Sequence, residues 1–110
     1  MKRFFQISIL ILTLSIALIA ESADRAIVKQ QTPEYPALLK KLGIGGTVKL
    51  SAFVAADGTV KKTKIDGGNP MLAEIACSAV SKWKYAAAAQ PSSQPIEMTF
   101  DPKTALVTVK

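Results

Sequence analysis

The sequence predicts a small α+β domain: a short helix, then β-β-α-β, with a three-stranded antiparallel sheet covered by one helix. Three observations carry this. Val48, Leu50, Ala52 and Val54 alternate with Lys49, Ser51, Phe53 and Ala55, the period of a half-buried strand. From Met71 to about Lys84 the apolar residues Leu72, Ile75, Ala76, Ala79, Val80 and Trp83 fall on one helical face, opposite Glu74, Ser78, Ser81 and Lys82. Ile96, Met98 and Phe100 then alternate with Glu97, Thr99 and Asp101 as a further strand. A sheet with one apolar face needs a cover, and the Leu72–Trp83 helix supplies it.

The elements follow in order. The prolines at 33 and 36 favour extended backbone around Tyr35, and Pro36 suits the start of a short helix over residues 37–42. Gly43 is placed to stop that helix in a left-handed cap. Asp57-Gly58 is a two-residue turn signal that allows positive φ at both centres, so Val48–Ala55 and Thr59–Ile65 form a hairpin. Val60 and Ile65 cannot share a face in a regular strand, and a bulge near Lys61-Lys62 reconciles them. Gly67-Gly68-Asn69-Pro70 is a loop followed by a helix start. Ala86 to Gln94 reads as a small-residue loop, and Pro95 suits a strand's start or an edge. After Asp101-Pro102, residues 106–109 read either as a fourth short strand or as a tail.

The amino terminus sets the compartment. Lys2 and Arg3 precede Phe4–Ala20, an uncharged run of 17 residues, and small residues follow for a signal peptidase after Ala20 or Ser22. Residues 1–22 therefore read as a signal peptide, with an uncleaved membrane anchor as the alternative, since 17 residues is the lower limit for a span. Residues 23–33 read as a short linker and 34–110 as the domain. The predicted location is the periplasm, or the inner membrane facing the periplasm if the anchor is kept. Cleavage after Ser22 removes Lys2, Arg3 and Glu21, leaving 12 basic against 7 acidic residues, a net charge of +5. That suits acidic protein surfaces or weak contact with an anionic membrane, while export argues against nucleic acid.

Composition disfavours enzymes and metal sites. The chain has no histidine and one cysteine, Cys77, so an internal disulfide is impossible and a zinc or copper site has too few ligands. Serine or cysteine nucleophiles lack their usual base, the carboxylates are scattered over turns and solvent faces, and the glycines at 43, 45 and 46 lead into a strand rather than a helix. No catalytic residue and no cofactor is predicted. Trp83, Tyr85 and Cys77 read as packing residues. Lys61, Lys62 and Lys64 read first as guards against edge-to-edge pairing, with contact to acidic partners as the alternative.

The order and spacing of several short motifs resemble the C-terminal domain family of TonB, the energy-coupling protein of Gram-negative bacteria. They are Tyr35-Pro36, the run Gly43-Ile44-Gly45-Gly46-Thr47-Val48, Ala56-Asp57-Gly58-Thr59-Val60, Gly68-Asn69-Pro70 with Leu72, Ala79 to Tyr85, and Pro95 to Phe100, together covering residues 31–101. The resemblance implies a non-enzymatic binding module. Such a module takes an extended peptide, such as the TonB box of an outer-membrane receptor, by strand addition along an unpaired edge. Carried over, that edge is Ile96, Glu97, Met98, Thr99, Phe100 and Asp101, and the segment before Tyr35-Pro36 points to Gln31 and its neighbours. Tyr35 itself, between two prolines, reads either as a further contact or as a hydrophobic plug over the domain's end. A structural or assembly subunit that uses its edge for self-association, as a homodimer or with another envelope protein, is the alternative. The sequence departs from energy-transducing members in three ways. It has no histidine, and its span from Ala23 to Pro33 reaches roughly 34 Å where those members carry a long proline-rich spacer. It also has Ala86–Ala89 where a proline-containing turn usually follows the helix.

Overall fold

Strand β2 (Gly46–Val54) runs through the centre of the domain and organises the rest. Its alternate side chains Val48, Leu50, Ala52 and Val54 are no more than 1 % exposed, as the period-two pattern requires. In the computed structural model, which describes residues 25–110, β2 pairs on one side with β3 (Val60–Gly67). On the other side it pairs with β5 (Ser92–Asp101), and β5 pairs in turn with β6 (Leu106–Val109). All three pairings are antiparallel and the order is β3-β2-β5-β6. Residues 106–109 are thus a fourth strand and not a tail.

Helix α1 (Ala37–Lys41) is one short turn that buries Leu39. Gly43 follows at φ +70°, and the Ile44 amide donates to the Leu39 carbonyl at 2.9 Å, so the left-handed cap forms where the glycine predicts it. Helix α2 (Pro70–Val80) begins at Asn69, whose side-chain oxygen accepts from the Met71 and Leu72 amides at 2.9 and 3.3 Å. It lays Leu72, Ala73, Ala76 and Val80 in the core against the apolar face of the sheet, and Ala79 is buried as well.

Two sequence expectations shift in register. The helix stops at Val80 and does not reach Lys84, because the Lys82 and Trp83 amides turn to the carbonyls of Ala79 and Val80, and the Ser81 hydroxyl donates to the Ser78 carbonyl. Trp83 is still buried, but beyond the helix rather than on its face. The hairpin turn is also longer than two residues. The Gly58 amide donates to Ala55 and the Ala55 amide to Thr59, and only Gly58 has positive φ, at +96°. That is a three-residue turn closed by a glycine bulge. The bulge expected near Lys61-Lys62 is present between the pairs Phe53↔Lys62 and Val54↔Val60.

A second small sheet was not legible. Strand β1 (Ile27–Lys29) pairs antiparallel with β4 (Lys84–Tyr85), so part of the expected linker lies on the domain. The expected signal peptide or anchor lies outside the described residues. Among the described residues no helix is long and apolar enough to cross a membrane.

Candidate partner-binding edge

The candidate edge is the backbone of β5. Its even-numbered side chains, Gln94, Ile96, Met98 and Phe100, face the core and are at most 4 % exposed. The Glu97 amide donates to the Lys110 carbonyl at 3.3 Å and receives the Lys110 amide on its own carbonyl at 2.8 Å. Antiparallel alternation then directs the peptide groups of residues 97, 99 and 101 toward β6 and those of 94, 96, 98 and 100 toward β2. The expectation of a bare edge over Ile96–Asp101 is therefore corrected. Strand β6 covers Met98–Asp101, and Lys110 extends that cover to Glu97. The cause is local: Asp101 accepts the Lys103 amide at 3.0 Å and Ala105 adopts φ +60°, which returns the chain against β5.

Beyond Glu97 the cover stops while β5 continues to Ser92. By the same alternation Ser93 and the Pro95 carbonyl point away from β2, and Pro95 has no amide to satisfy. A groove of about 690 Å³ opens at this place, lined by Ile27, Gln30, Trp83, Tyr85, Pro95 and Ile96 among others. Its walls are mainly apolar and its rim carries Lys49, Glu97 and Lys110.

The sequence-predicted residues separate into three groups. Ile96, Met98, Phe100 and Tyr35 give their side chains to the core. Tyr35 stands edge-on to Phe100 at 5.3 Å and donates its hydroxyl to the Ile44 carbonyl at 2.5 Å; burial, with the Asp101 carboxylate nearby, raises it above the usual phenol pKa. Glu97, Thr99 and Asp101 lie on the open face, where Glu97 meets Lys49 at 3.8 Å and Thr99 shares a hydrogen bond with Thr47 at 3.0 Å. Gln31 is exposed, and its carbonyl accepts the Trp83 indole N–H at 2.7 Å.

Two residues that position this edge escaped the sequence reading. The Arg25 guanidinium donates to the carbonyls of Ala55 (3.0 Å), Ala56 (3.1 Å) and Ala86 (2.6 Å), joining the hairpin tip to the chain after β4. Its own backbone amide donates to the side-chain oxygen of Gln94 at 3.0 Å, and Gln94 in turn donates to the Ser92 hydroxyl at 3.0 Å. Gln94 left a signal, being a polar residue in step with Ile96, Met98 and Phe100. Arg25 left none, because its guanidinium's short contacts are to alanine carbonyls 30 to 61 residues away, which no local pattern marks.

The described residues thus form a small α+β domain with an incompletely covered strand and a groove beside it. The sequence matches the family model for the Gram-negative bacterial TonB protein C-terminal over residues 31–103, and the chain belongs to that family. Members are periplasmic interaction domains of envelope transport and are not enzymes. No curated protein matches the chain.

Proposed function

We propose that this domain binds an extended segment of an envelope protein, such as the TonB box of an outer-membrane receptor, by strand addition to β5. The segment runs antiparallel to β5, starts on the open stretch Ser92–Ile96, and continues over Glu97–Asp101 in place of β6. The observation that carries the proposal is the stretch of β5 left bare beyond Lys110, with the groove beside it. Main-chain pairing supplies affinity there, and the apolar walls select alternate side chains. Strand β6 is suited to give way. It has four residues, its side chains are exposed or half-buried, and Leu106 is 60 % exposed.

Self-association is the competing use of an edge. The outer edge of β3 carries Lys61, Lys62 and Lys64, which set like charges against each other in a β3–β3 pair. A peptide on β5 meets no such barrier. The test is Thr108→Pro, which removes the amide that holds β6 to Thr99 by the alternation above. If β6 competes with the partner, a receptor-type peptide binds the variant about three- to tenfold tighter, the equivalent of one or two ladder bonds. Unchanged or weaker affinity, with the fold intact by circular dichroism, rejects displacement of β6. Concentration-dependent dimerisation without peptide binding supports the assembly reading instead.

A further inference from the structure

A second concave site lies at the tip of the β2–β3 hairpin, on the sheet face that no helix covers. It measures about 420 Å³ and is lined by Phe53, Val54, Ala56, Lys61, Pro91 and Ser93. The floor is apolar and Phe53 is 37 % exposed. The surroundings are cationic. Lys62 sits 5.6 Å from the centre of the Phe53 ring, Lys61 is on the wall, and Arg25 reaches the carbonyls of Val54, Ala55 and Ala56 from behind. Arg25, Lys61 and Lys62 take part in no ion pair among the described residues, where the pairs are Lys49–Glu97 and Lys64–Asp66. The neighbouring carboxylate is Asp57, whose Oδ1 is held by the Thr59 amide at 3.0 Å and the Thr59 hydroxyl at 2.7 Å, and whose charge Lys61 and Lys84 share.

We propose that this cleft binds an aromatic or large aliphatic side chain carried between acidic residues on a partner polypeptide. The ring packs against Phe53 and Pro91, and the flanking carboxylates meet Lys61 and Lys62. An apolar floor alone takes any greasy group; the unpaired cations around it select one with negative charge beside it. The cleft adjoins the open stretch of β5 at Ser92 and Ser93, but it takes a side chain where strand addition takes main chain.

The test is amide NMR of the ¹⁵N-labelled protein titrated with three capped peptides: Gly-Glu-Phe-Glu-Gly, its Gln-Phe-Gln counterpart and its Glu-Ala-Glu counterpart. The first shifts the amides of Phe53, Ala55 and Lys61, and each of the others binds roughly three- to tenfold more weakly, the worth of a few rim charges or one packed ring. Phe53→Ser and the double variant Lys61→Gln/Lys62→Gln reproduce those two losses on the protein side, and added salt weakens only the acidic peptides. Equal affinity for the Gln-Phe-Gln peptide, or no saturable shift at millimolar peptide, overturns the proposal. So does binding to phosphatidylglycerol vesicles that shifts the same amides and is not displaced by the acidic peptide, since the cleft then serves a lipid surface.

Discussion

Replacing Arg25 by alanine separates a structural clasp from a surface arginine that happens to lie nearby. The guanidinium places four N–H···O contacts of 2.6–3.1 Å on the carbonyls of Ala55, Ala56 and Ala86. A hydrogen bond to a charged group is worth about 1.5–3 kcal/mol when both partners lose water. Arg25 and the three alanines are only half-buried, so the carbonyls regain part of that from solvent. The loss for Arg25→Ala is therefore about 2–4 kcal/mol, a drop of roughly 10–25 °C in Tm for a domain of this size. Arg25→Lys keeps the charge but not the planar fork that spans three acceptors, so it recovers about half. The assay is urea unfolding followed by the fluorescence of Trp83, the single tryptophan, whose indole N–H is bonded to the Gln31 carbonyl in the same segment. A change below about 0.5 kcal/mol, the range of an ordinary surface substitution, refutes the clasp.

Three further outcomes follow from the same geometry. Gly58→Ala costs about 2–4 kcal/mol by denaturant unfolding, because its φ is +96° and an added Cβ lies 2.0 Å from the Tyr85 carbonyl oxygen; Gly43→Ala, at φ +70° with open space around it, costs about 1 kcal/mol. The Asp57 carboxyl is held below its ordinary value of 3.8, first by the Thr59 amide and then by the Thr59 hydroxyl. Its contribution is thus present above that value and lost as pH falls through the lowered one, so an acid titration of stability is less steep below pH 3.8 in Asp57→Asn. Ser93→Pro removes an outward amide from the open part of β5 without touching the core; it weakens peptide binding about five- to tenfold while stability changes by less than about 1 kcal/mol, as isothermal titration and melting report.

What the sequence made legible is what periodicity and caps encode. The alternation of β2 and β5, the Asn69-Pro70 helix start and the Gly43 stop each have a local physical cause, and each stands where its residues place it. The end of α2 was misplaced because Trp83 keeps helical spacing on the buried side although the backbone has already turned at Ser81. Strands β1 and β4, of three and two residues, are too short to show a period, and they are held by main-chain bonds and by Arg25. The candidate edge was half legible. Its strand was readable, but the cover from β6 depends on a turn at Asp101–Leu106 whose left-handed residue is Ala105, where no glycine or asparagine marks the bend.

The most direct test of strand addition to β5 is amide NMR of the labelled protein with an outer-membrane receptor peptide of the TonB-box kind. Strand addition predicts saturable shifts at Ser93, Glu97, Thr99 and Asp101, the residues whose peptide groups point away from β2, together with loss of the native β6 signals at Leu106–Val109. Shifts confined to β3 or to the hairpin tip, or none at millimolar peptide, contradict it.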